Sequence, residues 1–413
     1  MMQTLGEART YRMEFLSPVH VGTEEHLGPQ DVLYRDGALR RVRPEPLLEV
    51  LQSSPQLMDR YLRDGLGGIA DWLGRQTGLL DRVTVYVAPA EREPRWQREP
   101  VRPFLADSLL RPYVPGTELK GAIRTALLWA FIQTHPDRAH LEGRVGREQD
   151  RAGAPRDVKD RRFAGQWLTQ SVLGQDPHHD LLRSLRVPDA GALLARHLRL
   201  LPVIIAARGR DGLRLLQRPR GGDRPSQYTD DVRQAVANFC ECLTPEAGGV
   251  PVTVELDRFL SRGRIARGGA SSVPRVLDWQ DRILGLVDRW PEACNAFARH
   301  VAEAELRWWQ EARRAAPMGL VALAEALVRF YADLLRRMTG EAAGSVYLNL
   351  GWGGGWRTKT VTEAFGDTRV RQVVRRYNLD RGAGSRPFPK TRKVAWLGGQ
   401  TFAPLGWVLL VPA

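Results

Sequence analysis

A proline and glycine turn that runs directly into an apolar helix is the first pattern with chemical consequences. It reads Pro112-Tyr113-Val114-Pro115-Gly116-Thr117-Glu118-Leu119-Lys120-Gly121-Ala122-Ile123-Arg124. Thr117 is placed to cap the helix, and the amides and dipole at a helix N-terminus bind anions. Lys120 and Arg124 share one helical face, and Gly121 lets another backbone approach it. The pattern predicts a phosphate site at Gly116, Thr117, Lys120, Gly121 and Arg124, although a capped core helix with solvated cations has the same signature.

A glycine-rich run near residue 350 is the second pattern, Asn349-Leu350-Gly351-Trp352-Gly353-Gly354-Gly355-Trp356-Arg357-Thr358-Lys359. Glycines expose backbone amides to a ligand, and tryptophans offer stacking surfaces for bases. A Walker loop would need Gly-Lys-Ser/Thr, and Trp356 occupies the third glycine of the dinucleotide pattern, which disfavours nucleotide hydrolysis. A hairpin loop whose tryptophans only pack is the alternative. The predicted nucleic-acid contacts are Gly351, Gly353, Gly354, Gly355, Trp356, Arg357 and Lys359.

A basic segment follows this loop, from Arg357 to Lys393. It holds 11 basic and 3 acidic residues, and it therefore supplies +8 of the chain's net charge of +14. Such a one-sided excess favours a phosphate track with salt-sensitive binding over a solvated face. The basic residues are Arg357, Lys359, Arg369, Arg371, Arg375, Arg376, Arg381, Arg386, Lys390, Arg392 and Lys393.

Histidines offer two further kinds of chemistry. His20 and His26 follow the first predicted strand, where a metal-independent ribonuclease could place a general base, although a hydrogen-bonding role for His20 in the loop is the simpler interpretation. Asp176-Pro177-His178-His179-Asp180 contains metal-ligand residue types, but adjacent side chains diverge and no second ligand group supports it. We therefore predict no metal and no cofactor.

Composition limits the class of protein. The chain has 413 residues, a pI near 10.3 and an excess of 56 arginines over five lysines, which points to a polyanionic partner. Cys240, Cys242 and Cys294 form no CxxC pair, so neither a disulfide framework nor a structural zinc site is indicated. The N-terminus lacks a signal-peptide core, and no apolar run is long enough to span a membrane, so we expect a cytoplasmic protein.

The elements that must position these residues alternate irregularly. Strands are predicted at Thr10–Leu16, 83–87, 200–206, 250–256, 345–350 and 407–411, and helices at 46–51, 117–133 and across 276–338 with breaks near Pro291 and Pro317. Glu142–Arg162 and Arg208–Arg224 are predicted as exposed loops. The pattern favours an α+β fold with two modules, residues 1–258 and 259–413.

Four of these stretches together resemble the RAMP superfamily of CRISPR-associated proteins. They are Leu16-Ser17-Pro18-Val19-His20-Val21-Gly22, the run from Pro112 to Leu127, Leu185-Arg186-Val187-Pro188-Asp189, and Thr401-Phe402-Ala403-Pro404-Leu405-Gly406-Trp407. Within the superfamily the chain is most similar to the type III-A subunit that caps the 3′ side of the guide RNA. The resemblance implies two ferredoxin-like, RNA-recognition-motif-like modules with helical and loop insertions.

The resemblance also implies a non-catalytic role. Such a subunit binds the 3′ side of the guide RNA (crRNA), stacks on the backbone RAMP subunit among the other type III-A subunits, and assists guide maturation, with target RNA and host nucleases as further candidate partners. His20 and Gly22 join the predicted RNA contacts on this basis, and Arg392 of the basic segment is included with them. Two alternatives stay open, namely a guide-processing endoribonuclease using His20 and His26, and a protein scaffold anchored by Trp308, Trp309, Trp352 and Trp356.

Overall fold

The structure is a computed structural model that describes residues 6–76, 78–90, 92–96, 98–149, 154–209, 212–219, 226–263, 281–340, 343–380 and 388–413. Its strands are β1 (Gly6–Phe15), β2 (Val32–Arg35), β3 (Ala38–Val42), β4 (Thr84–Pro89), β5 (Val101–Arg102), β6 (Arg147–Gln149), β7 (Pro155–Asp157), β8 (Leu185–Arg186), β9 (Leu198–Gly209), β10 (Gly212–Arg218), β11 (Gln227–Thr229), β12 (Ala237–Leu243), β13 (Val250–Asp257), β14 (Val346–Asn349), β15 (Thr391–Gly398), β16 (Thr401–Ala403) and β17 (Trp407–Pro412).

Helices lie between these strands at irregular intervals. They are α1 (Pro44–Leu51), α2 (Pro55–Gly68), α3 (Ala70–Arg75), α4 (Leu79–Val83), α5 (Gly116–Thr134), α6 (Arg138–Arg144), α7 (Gln166–Leu173), α8 (Arg258–Arg262), α9 (Asp281–Asp288), α10 (Trp290–Arg314), α11 (Val321–Gly340), α12 (Trp356–Lys359) and α13 (Asp367–Arg376). The predicted α+β class is confirmed.

The first sheet has the order β14-β17-β1-β13-β8, and all its neighbouring strands are antiparallel. In β1 the alternate residues Tyr11, Met13 and Phe15 are buried, as expected for a strand with one face on the core. The C-terminal strand β17 pairs with β1, so this sheet joins strands from both sides of residue 258. The division of the chain at that residue stays a prediction.

The second sheet has the order β11-β10-β9-β12-β5, and β15 pairs with β9 and carries β16 on its other side. Arg102 of β5 lies beside Cys240 of β12, and Lys393 of β15 lies beside Ile205 of β9. The register therefore brings residues from distant parts of the sequence onto one sheet.

Helix α5 occupies the centre of the core. Its apolar residues at helical spacing, Leu119, Ile123, Leu127 and Phe131, are buried, and so are Trp129 and Ile132 on the other sides of the helix. The reason is that α9 and α10 pack against α5 in addition to the first sheet. A separate small core forms where α1 to α4 are inserted between β3 and β4.

Two sequence predictions are corrected by the strands. Arg208–Arg224 was expected to be an exposed loop, but β10 occupies most of its described part and pairs with β9. Leu213 and Leu215 alternate with polar residues and point into the core, which is enough to hold a strand despite the arginines around it. Glu142–Arg162 contains the end of α6 and the short, exposed β6-β7 hairpin.

Candidate nucleic-acid interface

The glycine-rich loop after β14 is fixed to the segment that follows β1. The Trp352 amide donates to the His20 carbonyl at 2.7 Å, and the Gly351 amide donates to the Glu118 carboxylate at 3.0 Å. Gly351 has a φ of 68°, and a Cβ there would stand 2.2 Å from the His20 oxygen. Only glycine fits such a close approach in this conformation. The loop is therefore held rigidly, and it directs Trp352 onto the second sheet.

Trp352 lies on a sheet face formed by β9, β12 and β15, where it packs against an apolar cluster that includes Leu201 and Cys240. Two cations approach its indole ring. The Lys393 ammonium is 4.2 Å from the ring centroid, and the Arg102 guanidinium carbon is 5.4 Å from it. We call Arg102, Trp352 and Lys393 the Trp352 site.

The charges of the Trp352 site are not neutralised by the protein. Among the described residues, neither Arg102 nor Lys393 has a carboxylate partner, and the hydrogen bond of Arg102 goes to the Asn238 amide oxygen at 3.4 Å. Burial lowers the pKa of Lys393, and the positive charge of Arg102 lowers it further. Two like charges held together on an aromatic ring suit a phosphate group and an adjoining base.

A cavity of about 270 Å³ adjoins the Trp352 site and shares Lys393 with it. Gly353, Gly354 and Gly355 form one wall, and Trp356 contacts the ring of Phe388 at 5.3 Å between centroids. The predicted glycines and Trp356 therefore border a space next to the cationic site, which is the placement expected if backbone amides contact RNA.

Three predicted cations are engaged inside the protein. Arg392 forms an ion pair with Glu305 at 2.5 Å, Arg357 lies 3.6 Å from the same carboxylate, and Lys359 lies 3.5 Å from Glu118. The side chains of Arg357 and Arg392 are only 15% and 10% exposed. These two arginines stabilise the wall of the cavity instead of presenting free charge to a ligand.

The remaining basic segment is divided between internal and exposed arginines. On α13, Arg376 pairs with Asp157 of the hairpin at 3.1 Å, and Arg369 donates to the Val145 carbonyl. Arg371 and Arg375 are exposed. Arg381 and Arg386 lie outside the described residues. The predicted continuous track is thus reduced to separate groups of cations.

The N-terminus of α5, which was predicted to bind an anion, is occupied by a carboxylate of the protein itself. The Gly116 amide donates to the Asp189 carboxylate at 2.8 Å, and a Cβ on Gly116 would stand 1.9 Å from the Val187 oxygen. The helix begins at Gly116 after Pro115. Thr117 makes no capping hydrogen bond, so the prediction that Thr117 caps the helix was wrong. The physical reason is that the Val187-Pro188-Asp189 segment packs on the turn and supplies the carboxylate itself.

Lys120, Gly121 and Arg124 lie where the helical spacing places them. Arg124 forms an ion pair with Asp180 at 2.7 Å, whereas Lys120 is half-buried. Gly121 is exposed, and a Cβ there would meet nothing within 4 Å. Of the predicted helix cations, Lys120 is the one whose charge is not paired within the part of the chain that the structure describes.

Gly121→Ala is expected to raise the free energy of unfolding by about 0.5–1 kcal/mol, because alanine loses less backbone entropy in a helix and meets no obstacle here. Urea unfolding of the two proteins measures this. Gly116→Ala is the matched comparison and should destabilise the protein, since its Cβ meets the Val187 oxygen. A destabilised Gly121→Ala protein would mean that the fold itself needs this glycine.

His20 and Gly22 have structural roles. His20 is 1% exposed, donates from Nδ1 to the Glu241 carbonyl at 2.8 Å, and contacts Trp352 edge to face. A Cβ on Gly22 would stand 2.6 Å from His20 Nε2. Burial lowers the pKa of His20 to about 4, partly opposed by this hydrogen bond. His20 is therefore neutral near pH 7, and its ring packs against the Trp352 ring.

We expect the His20 ring to titrate near pH 4 in ¹³C-histidine NMR spectra, with a signal missing from His20→Gln. Because the folded pKa lies below the ordinary 6.5, the unfolded state binds more protons between these values. Stability from this residue is complete above pH 6.5 and is lost as the pH falls towards 4, by up to about 3 kcal/mol. A midpoint near 6.5 would contradict this assignment.

The other candidate chemistry receives no support from geometry. His179 Nδ1 contacts the Asp176 carboxylate at 2.7 Å, and His26 is exposed. Within the described ranges, three or more His, Cys, Asp or Glu side chains do not gather around a common point suited to a metal. In the same ranges, no helix has the length and apolar character needed to cross a membrane.

Part of the chain is similar to a known protein family. Residues 12–194 match the RAMP superfamily. The match covers somewhat less than half of the chain. It contains three of the four stretches on which the resemblance was predicted, including the Pro115-Gly116 turn and the Val187-Pro188-Asp189 segment that contacts it.

Curated relatives agree with the predicted type III-A resemblance. The chain is 32% identical over 94 residues to the CRISPR system Cms protein Csm5 of two Mycobacterium tuberculosis strains, CDC 1551 / Oshkosh and ATCC 25618 / H37Rv. The match covers 22% of this chain and spans about a quarter of the relatives' length, 24%.

Two solved structures share the fold along nearly the whole chain. A chain of the cryo-EM structure of a Csm-crRNA-target RNA ternary complex in a type III-A CRISPR-Cas system aligns with a TM-score of 0.56 at 20% identity, covering 97% of this chain and 99% of that one. The crystal structure of T. onnurineus Csm5 aligns with a TM-score of 0.59 at 18% identity, covering 97% and 100%. This chain therefore shares the overall fold of these two structures.

Proposed function

We propose that this protein is a non-catalytic RNA-binding subunit of a type III-A CRISPR effector complex. It binds the 3′ side of the guide RNA, stacks on the backbone RAMP subunit beside the other subunits, and assists guide maturation in the cytoplasm, with target RNA and host nucleases as further partners. The observation that carries the proposal is the Trp352 site, where Arg102 and Lys393 converge on an aromatic ring without a carboxylate partner among the described residues.

The proposed architecture is two ferredoxin-like modules, residues 1–258 and 259–413. The antiparallel first sheet and the helices packed on it support such modules. Because β17 pairs with β1, and β15 with β9, the modules would exchange strands and hold the glycine-rich loop between them. The loop and the basic strand β15 then come from the second module, while Arg102 comes from the first.

The alternatives have less physical support. A ribonuclease would need His20 as an accessible base near neutral pH, but this ring is buried and its pKa is about 4. A scaffold anchored by exposed tryptophans is not favoured by Trp308 and Trp309, which are 3% and 1% exposed. Trp352 and Trp356 are half-buried at the cavity instead.

Fluorescence anisotropy with labelled single-stranded RNA, read at several salt concentrations and in the presence of a chelator, tests the proposal. We expect binding that weakens steeply with salt, because phosphate contacts release counterions. Gel analysis of the same mixtures should show intact RNA. Absence of binding would contradict the proposal, and specific cleavage that disappears in His20→Ala would favour the ribonuclease.

A further inference from the structure

A polar groove of about 590 Å³ lies between α5, α7 and the segment that leads into β8. Its walls include Lys120 and Arg124 from α5, Gln166 and Gln170 from α7, and Arg183 from the following segment. The groove shares no residue with the Trp352 site, so it is a separate candidate binding site.

Lys120 and Arg183 are the cations of the groove without a carboxylate partner among the described residues, and Arg183 donates to the His178 carbonyl. Asp180 accepts from Arg124 at 2.7 Å and from the Leu182 amide at 2.8 Å, so its carboxylate is occupied. The Lys120 ammonium has no ion-pair partner among the described residues. Burial lowers its pKa, as does Arg124, while Asp180 acts in the opposite direction. A partly desolvated cation that makes no direct ion pair is a favourable position for a phosphate.

The facing wall carries amide and hydroxyl groups. Gln166, Thr169 and Gln170 follow helical spacing along α7 and line the groove, whereas Leu168 and Val172 are buried on the other side. Gln170 donates to the Gln175 carbonyl at 2.9 Å, which leaves its side-chain oxygen to accept. A carboxamide can both donate and accept, and it pairs with the edge of adenine through two hydrogen bonds.

We propose that this groove binds one nucleotide of single-stranded RNA, with a phosphate on Lys120 and the edge of an unstacked base against Gln166 and Gln170. The inference rests on the proposed function and adds a base-reading contact to the backbone contacts of the Trp352 site. Base edges of single-stranded RNA are accessible to side chains in this way. The protein would therefore prefer adenine at one position of its RNA.

The test measures anisotropy of labelled oligo(A), oligo(U) and oligo(C) RNA with full-length variants. Lys120→Ala should weaken binding of all three RNAs by about tenfold and make the salt dependence shallower. The double variant Gln166→Ala/Gln170→Ala should lose about fivefold to tenfold on oligo(A) alone, with an unchanged salt dependence. Arg329→Ala and Gln56→Ala, at exposed positions on α11 and α2, are the matched controls.

The outcomes separate the two proposals. If the wild-type protein binds none of the RNAs, the proposed function fails. If it binds them but both groove variants match their controls, the groove proposal alone is overturned. If Lys120→Ala weakens RNA binding but the double glutamine variant does not, the base-reading contact is overturned. If an oligoglutamate peptide binds more tightly than RNA and its binding depends on Lys120, the groove binds an acidic protein instead.

Discussion

Replacing Arg102 and Lys393 together by alanine is expected to weaken binding of single-stranded RNA by about 10²-fold, since each charge-assisted hydrogen bond to phosphate contributes about 1.5–3 kcal/mol. The two side chains converge on Trp352 from β5 and β15 and have no carboxylate partner among the described residues. Loss of one phosphate contact should also lower the slope of log K against log salt by about 0.7.

The control for this experiment removes the same charge elsewhere. Arg60→Ala/Arg329→Ala deletes two exposed cations from α2 and α11, and it should change the RNA affinity only slightly. Urea unfolding should show that both double variants stay folded. Equal losses in the two double variants would mean that the protein attracts RNA through its overall charge of +14 and not through the Trp352 site.

Replacing Glu305 by glutamine is expected to lower the free energy of unfolding by about 3–5 kcal/mol, the usual cost of leaving a buried charge without its partner. The charge left without a carboxylate is that of Arg392, because Arg357 keeps Glu363 at 3.3 Å. The Glu305 side chain is 7% exposed and lies between Arg357 and Arg392. Arg392 also stands 4.5 Å over the Trp308 ring. The carboxylate therefore joins α10 to the end of the glycine-rich loop and to β15.

Urea unfolding of Glu305→Gln, compared with Glu325→Gln on the exposed side of α11, measures this effect. The control should change stability by less than about 0.5 kcal/mol, as is usual for exposed positions. RNA affinity should also fall in Glu305→Gln, because β15 carries Lys393. A stable Glu305→Gln protein would show that Arg392 does not depend on this carboxylate, and Arg392 would again be a candidate for contact with phosphate.

Much of the fold could be predicted because local patterns and tertiary packing agree. The apolar residues of α5 recur at helical spacing, and those of β1 and β13 alternate along the strand. Each element therefore has an apolar face, which is buried in the structure. The prediction failed at β10, where arginine and glycine content suggested a loop. Two inward leucines paired with β9 outweigh that composition, and such pairing over a distance cannot be read from a local window.

The site was only partly predictable, for a physical reason. The glycine-rich loop was found because glycine and tryptophan spacing is local, whereas Arg102 and Lys393 join it through strand register in the second sheet. Arg357 and Arg392 were predicted to contact RNA, but both are largely buried and paired with carboxylates inside the protein. Arg357 lies 3.3 Å from Glu363, which is near it in the sequence, but nothing near Arg392 indicates that Glu305, on a distant helix, pairs with it.

Photocrosslinking is the most direct test of the central claim, that RNA is held at the Trp352 site. The full chain is mixed with single-stranded RNA containing 4-thiouridine, irradiated, digested and analysed by mass spectrometry. We expect crosslinked peptides that contain Trp352 and Lys393, and loss of these crosslinks in Arg102→Ala/Lys393→Ala. Crosslinks confined to other surfaces, such as the exposed arginines of α13, would contradict it.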